Sequence, residues 1–384
     1  MASIVFAVVL CVLMDSVKKG LLDRMKENIV SIYSGYVQVQ QNGFWENRTL
    51  EQSFKPTKQL LQYLSGHHEI VSVIPRLESF ILVASDDYAK GTLIVGIDPE
   101  MEARHGDLSD KIISGTYLSV GDRAALITEG LAGYLRLGAG DTIVLLGQGY
   151  HGATAVGKYL IKGVVKFGSP ELNEGLVYLP LQESQSLFAA DERITALVLD
   201  LQDIDLSHQV ANELSEDLGH QYEVMSWQEM SPELDQFIKG EETENVIFQI
   251  ILYLLIAFGI FGTILMMTLE REREFGILVA IGMKKHFLSS MVILENLMIA
   301  LLGSLGGLLL SFPATFYFFR YPIPLKGKLA EAYENFGIEP IFYFSIDPEI
   351  FYSQAIIVLL LASLLSFFPV LKVGALHPVN AMRK

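Results

Sequence analysis

The sequence predicts an α-helical membrane protein: four transmembrane helices, the first of them truncated, with a large α+β extracytoplasmic domain between helices one and two. Three observations predict it. The chain of 384 residues is 51% hydrophobic and only 19% charged, with a mean hydropathy of +0.37, which is too apolar for an ordinary soluble protein. Long stretches without charge recur in its C-terminal third. The acidity is confined to one block, since residues 15–244 hold 18 basic and 35 acidic side chains and the remainder only 10 and 9. A net charge of −16 argues against a nucleic-acid binder. The chain therefore divides into residues 1–14, a partial first membrane helix; 15–244, a water-facing domain; and 245–384, a membrane module.

Residues 3–14 (SIVFAVVLCVLM) form an apolar run shorter than the roughly 20 residues that a bilayer requires. It lacks the basic residues before it and the small-residue cleavage site after it that mark a signal peptide. The run is expected to be the outer part of a membrane helix whose beginning is missing, with a short uncleaved signal anchor as the alternative. The acidic block alternates strand patterns, at 35–39, 80–83, 92–97, 142–146, 159–165 and 194–201, with helical ones at 21–32, 57–64, 128–135, 181–188 and 207–218. It is long enough for two subdomains.

Residues 246–269 contain no charge and stop at the run Glu270, Arg271, Glu272, Arg273, Glu274. At about 2.5–3.5 kcal/mol for each acidic or basic residue at the centre of a membrane helix, that run has to lie outside lipid. A second span covers 287–319, interrupted by Glu295 and Pro313, and a third covers 351–371. Arg271, Arg273, Lys284 and Lys285 in the short connection, and Lys372, Arg383 and Lys384 in the tail, place both on the cytoplasmic side. Lys18, Lys19, Arg24 and Lys26 oppose this bias, but the parity of the spans puts the acidic block and the 320–350 loop outside. Aromatic residues at 317–321 and 342–344 suit an outer interfacial belt.

Signs of catalytic chemistry are few. Gly147, Gly149 and Gly152 spell G-x-G-x-x-G, but a β-like segment follows where a dinucleotide site needs a helix, so a glycine-rich hairpin is expected. No G-x-x-x-x-G-K-[ST] occurs, so the chain is not expected to hydrolyse ATP itself. His67 and His68 have no further ligands at metal-binding spacing. Cys11, the only cysteine, lies in the apolar N-terminal run, which excludes a disulfide within the exported domain. No catalytic residue, metal or cofactor is expected.

The informative stretch is EREREFGILVAIGMKK, residues 270–285. On a helix of about 270–286, Phe275, Leu278, Val279 and Gly282 share a face, and Gly276 and Ala280 are small enough to let a partner approach. Physically the pattern fits either a helix lying on the membrane surface or a docking helix. The run E-R-x-R-E-F-G-x-x-x-A-I-G-M resembles the cytoplasmic coupling element of ATP-binding-cassette (ABC) transporter permeases of the macrolide-exporter and lipoprotein-releasing kind, a group that includes the cell-division permease FtsX. The resemblance covers nearly the whole chain. Residues 246–384 resemble the permease module, through Leu376-His377-Pro378 and Ala381-Met382-Arg383 at the tail. LAGYLRLGAGD at 131–141, Gly163-Val164-Val165 and Val177-Tyr178-Leu179-Pro180 resemble the extracytoplasmic domain of the lipoprotein-releasing type.

The resemblance implies a non-catalytic permease subunit of the bacterial inner membrane, moved by a separate cytoplasmic ABC ATPase and paired with a second permease, identical or related. Glu270, Arg271, Arg273, Glu274, Phe275, Gly276, Ala280, Gly282, Met283 and Lys284 would form the ATPase-coupling helix. The work would be release of lipoproteins or other hydrophobic cargo, in concert with a periplasmic carrier. Export of a small molecule or peptide with a periplasmic adaptor is the alternative within the family, and a membrane-anchored ligand-binding protein or enzyme the alternative outside it. Two small-xxx-small pairs, Gly259 with Thr263 and Gly303 with Gly307, permit close helix contact, and the first is assigned to the first helix or a dimer mate. Glu295 is placed either to pair with Arg271 or Arg273 or to snorkel to the interface.

Overall fold

A computed structural model describes residues 1–26, 35–105, 108–167, 170–328, 330 and 340–374. The chain folds as two units, one drawn from Met1–Asp23, Phe237–Leu325 and Ile341–Lys384, the other from Arg24–Gln236 and Lys326–Pro340. Helix α1 (Ala2–Lys26) comes first, and strand β1 (Val37–Gln41), α2 (Phe44–Asn47), α3 (Lys58–Ser65), β2 (Ile70–Ala84), β3 (Ala89–Ile97) and α4 (Pro99–His105) follow. Next are β4 (Ile112–Gly115), β5 (Ala124–Thr128), α5 (Glu129–Leu135), β6 (Thr142–Gln148), β7 (Thr154–Val165), α6 (Pro170–Glu174), β8 (Leu176–Pro180) and α7 (Leu181–Leu187). β9 (Ala196–Leu201), α8 (Ser207–Leu218), β10 (Tyr222–Ser226) and α9 (Trp227–Met230) complete the α+β unit. The long helices α10 (Pro232–Glu270), α11 (Glu272–Ala280) and α12 (Lys285–Arg320), the short pair β11 (Ile323–Pro324) and β12 (Ile341–Phe342), and helices α13 (Pro348–Leu365) and α14 (Phe367–Gly374) end the described chain.

The α+β unit is built on one mixed sheet in the order β10-β1-β9-β2-β3-β8-β5-β7-β4, with β6 pairing β2 and β7. Only the β3–β8 and β5–β7 pairings are parallel. Strand β2 joins the two halves: Ile70–Arg76 pairs β9, while Arg76–Ala84 pairs β3 and its last three residues also pair β6. Among the described residues the sheet carries one core on its β1–β9 half and two on the other, where Leu93, Val95, Leu126 and Tyr178 of β3, β5 and β8 line the face opposite Ile94, Ile127 and Val177. On one side Val37, Val39, Leu197 and Leu199 receive Val210, Ala211 and Leu214 of α8; on the other Leu77, Ile81, Val83, Ile127, Ile143 and Tyr159 pack with Leu131 and Leu135 of α5. One continuous sheet runs through both halves. The sequence reading of β2 as 80–83 missed the crossing because Pro75, Arg76 and Glu78 interrupt the apolar pattern.

Local signals fix several boundaries. The Thr57 hydroxyl accepts the Leu60 N–H at 3.1 Å to cap α3, and Ser226 with Glu229 forms a reciprocal capping box on α9. The G-x-G-x-x-G stretch forms the β6–β7 connection, a hairpin. Of the helix expected at 21–32, α1 supplies residues up to Lys26, and 27–32 lie outside the described residues.

An ion pair is buried in this unit. Arg76 and Glu102 are 1% and 2% exposed and are bonded to each other, and the buried Glu78 carboxylate lies 3.9 Å from Arg48. Burial pushes the Glu78 carboxyl up from its ordinary value, with Arg76 and Arg48 opposing it. Removing one member of a buried pair leaves the other charge uncompensated, at about 3–5 kcal/mol. Glu102→Ala is therefore expected to destabilise the α+β unit by about that amount. The only tryptophans, Trp45 and Trp227, both lie in it, so a urea titration of the whole chain in detergent followed by tryptophan fluorescence reports this unit selectively.

The membrane unit is a helix bundle. Among the described residues three helical stretches, α10, α12 and residues 348–370, are long and apolar enough to cross a membrane. α1 packs among them, with Ile4, Ala7, Val8, Cys11 and Val12 in one cluster with Ile256, Ile260, Ile264, Ala300, Val358 and Ala362. Leu255, Phe258, Leu309, Leu360 and Leu364 are exposed, as lipid-facing side chains are. α10 begins at Pro232, well before the apolar stretch, and Pro313 sits within a continuous α12.

Candidate functional site

The charged run turns the chain at the end of α10. That helix ends at Glu270, Arg271 leaves helical geometry, and α11 begins at Glu272. The Arg271 guanidinium donates to Glu295 Oε1 on α12 at 2.5 Å and to Glu274 Oε2 at 3.3 Å, and lies 5.5 Å from the centre of the Phe275 ring. Arg273 is exposed and is not the partner of Glu295. Phe275 is buried with Leu288 and Val292 of α12, and Leu278 and Val279 pack at the edge of that cluster.

The far end of α11 is a Schellman turn. Gly282, at φ 107°, donates to the Val279 carbonyl at 3.1 Å, and Met283 donates to the Leu278 carbonyl at 3.0 Å. The glycine is needed because side-chain-bearing residues rarely take that backbone conformation. This turn also ends the helix at Ala280, six residues short of the expected 286. Inward go Phe275 and Gly276; outward go Arg273, Glu274, Ile277, Ala280, Ile281, Gly282, Met283 and Lys284. Ile281 is 80% exposed and Ile277 is 43% exposed. Both isoleucines stand exposed between charged residues. Among the described residues no cluster of His, Cys, Asp or Glu could hold a metal.

The small-xxx-small residues fall into two kinds. A Cβ on Gly303 would stand 2.9 Å from Ile4 Cβ, and one on Gly307 would stand 2.6 Å from Val8 Cβ, so α1 lies in a groove of α12 that only glycine permits. Thr263 Oγ1 is 3.2 Å from Ser3 Oγ of α1, whereas Gly259 has open space beside it. Sequence reasoning missed one polar site in the bundle. Asp15 accepts from Gln249 of α10 and Gln354 of α13, both at 3.0 Å, and the Tyr253 hydroxyl donates to Gln354 at 2.6 Å. The signal was two glutamines inside apolar spans, where a polar side chain seeks an internal partner.

Comparison with known proteins decides the family. Residues 246–378 match the FtsX-like permease C-terminal family, and residues 1–217 match the MacB-like periplasmic core domain. The chain is an ABC-type permease of the FtsX/MacB family. Among curated relatives, the lipoprotein-releasing system transmembrane protein LolC of Xylella fastidiosa is 24% identical over 333 residues, 82% of this chain and 78% of that one. LolC of Neisseria meningitidis serogroup B is 22% identical over 262 residues, covering 65% and 62%. Among solved structures, the periplasmic region of MacB from Actinobacillus actinomycetemcomitans gives a TM-score of 0.36 at 17% identity, covering 56% of this chain and 98% of that one. The extracellular domain of the noncanonic ABC-type transporter YknZ, from Gram-positive bacteria, gives 0.35 at 15%, covering 50% and 99%. By its family match over residues 1–217 the permease carries a periplasmic-type extracytoplasmic domain, and its family implies a partner ATPase.

Its two small-xxx-small pairs predict opposite outcomes. Gly307→Leu forces side-chain atoms into Val8, so thermal unfolding of the purified permease in detergent is expected to fall by about 1–3 kcal/mol, the usual cost of overpacking. Gly259→Leu meets open space and is expected to stay within about 0.5 kcal/mol of wild type.

Proposed function

We propose that the permease is the non-catalytic membrane subunit of an ABC-type mechanotransmission complex, in which a separate cytoplasmic ATPase docks on α11 and drives extracytoplasmic work. The observation that carries the reading is the outward face of α11 and of the turn that follows it, where Ile277, Ile281 and Met283 are exposed among Arg273, Glu274 and Lys284. That face is held from behind by Phe275 and by the Arg271–Glu295 pair, so a push on it is delivered to α12 and α10. In this reading Gly276 supports the helix from within, while Ala280 and Gly282 let the ATPase approach the outer side. Gly303, Gly307 and Thr263 seat α1 in the bundle that receives the push.

The work we assign is release of lipoproteins from the bacterial inner membrane, with the C-terminus cytoplasmic. The LolC relatives span most of the chain, and among the described residues the long apolar helices offer no row of charges that would line a hydrophilic pore. Release of this kind takes a second permease, identical or related, and a periplasmic carrier to receive the cargo.

Docking is tested by reconstituting the permease with its ATPase. Ile281→Asp and Arg273→Glu are each expected to reduce permease-stimulated ATP hydrolysis at least about tenfold, which corresponds to about 1.4 kcal/mol of interaction. Both positions are exposed, so insertion and melting temperature are expected to match wild type. Wild-type stimulation in both variants would overturn the docking role of α11.

A further inference from the structure

The C-terminal half of α1 meets the chain just ahead of α13 in an unusual way for membrane helices, through backbone as well as side chains. The Ser345 N–H donates to the Ser16 carbonyl at 2.9 Å, and the Ser16 hydroxyl donates back to the Ser345 carbonyl at 2.6 Å. Ser16 is fully buried. One turn further on, Gly20 lets the two backbones touch. A Cβ there would stand 2.6 Å from the Tyr343 carbonyl oxygen and 2.9 Å from the Phe344 carbonyl carbon, distances real Cβ atoms do not show. Lys19 forms an ion pair with Asp347, whose other oxygen caps α13 by accepting the Glu349 N–H at 2.9 Å. One turn in the opposite direction, Asp15 accepts from Gln354 of α13.

Positions 15, 16, 19 and 20 lie on one face of α1, one and a half turns long. Among the described residues, the bonds and ion pair that this face makes with other elements go to α13 and the five residues before it, apart from the Gln249 bond to Asp15. Breaking the contacts of the buried Ser16 leaves backbone and hydroxyl groups unsatisfied, while the half-exposed Lys19–Asp347 pair and Asp15 flank it on the same face.

We propose that this ladder is a clasp that makes the outer half of α1 and the start of α13 a single mechanical body. The clasp is a property of the chain alone. Its consequence, that α1 is carried by the last membrane helix as well as by its glycine seat on α12, rests on the coupling reading above. In that reading the extracytoplasmic domain receives movement along two helices, α10 directly and α1 through α13.

The test is amide hydrogen exchange, read by mass spectrometry, on the full-length permease in detergent. In wild type, segments 14–22 and 343–347 are expected to be protected and to open together. Gly20→Val separates the backbones, and it should accelerate exchange in both segments on the order of 100-fold while segment 246–260 of α10 stays at its wild-type rate. Lys19→Met and Asp347→Asn, the second of which keeps a capping oxygen, test the clasp should Gly20→Val not insert. Each should accelerate both segments about tenfold, and the double variant no further, the non-additivity expected of one shared bond. Acceleration of 343–347 without 14–22, or effects of the two charge variants that multiply, would overturn the clasp. None of these outcomes requires the ATPase, so failure of the coupling reading is distinguishable from failure of the clasp.

Discussion

The exclusion of charge from hydrocarbon is the constraint on which the membrane half of the permease depends. Five consecutive charged residues, 270–274, cannot follow α10 into lipid, so the helix stops at Glu270 and the chain must turn. Glu295, three turns into an apolar helix, would be costly there by itself, and Arg271 at the turn answers it. That one pair fixes where α11 leaves α10 and where it lies against α12. With Phe275 filling the space behind, the remaining faces of α11 have nowhere to go but outward.

The α+β unit solves a different problem with the same physics. Its sheet is covered by short helices and carries separate cores, and the long strand β2 runs through both halves. At the crossing sit Arg76 and Glu78, charges that are tolerable only because Glu102 and Arg48 meet them. In the membrane unit, glycine plays the joining role. Gly303 and Gly307 admit α1 to α12, and Gly20 admits it to the backbone before α13.

What could be read from sequence follows from the range of the interactions. The apolar spans and the charged run were legible because each is a local run whose cost in lipid adds residue by residue. Helices 57–64 and 207–218 were legible through amphipathic spacing and, for the first, a threonine cap. β5 was not, since all five of its residues are buried and it shows no alternation. The 76–102 pair was invisible because nothing local ties an arginine in a strand to a glutamate 26 residues later. The spacing of Gly303 and Gly307 announced close packing but could not name Ile4 and Val8 as what packs there. The sequence narrowed the partner of Glu295 to Arg271 or Arg273, or to none, and only the turn at the end of α10 selects Arg271. Asp15 escaped because it lies one residue beyond the apolar run, and the glutamines that bind it are uncharged and leave a hydropathy profile unbroken.

The central claim is that this chain does its work only when moved by a separate ATPase. It is tested most directly by purifying the full-length permease from native membranes through a tag at Lys384 and identifying its stoichiometric partners by mass spectrometry. The account predicts an ABC ATPase in equimolar amount together with a second permease, identical or related. Recovery of the intact permease with no ATPase, from membranes in which ABC ATPases are abundant and a control ABC complex survives the same extraction, would contradict it.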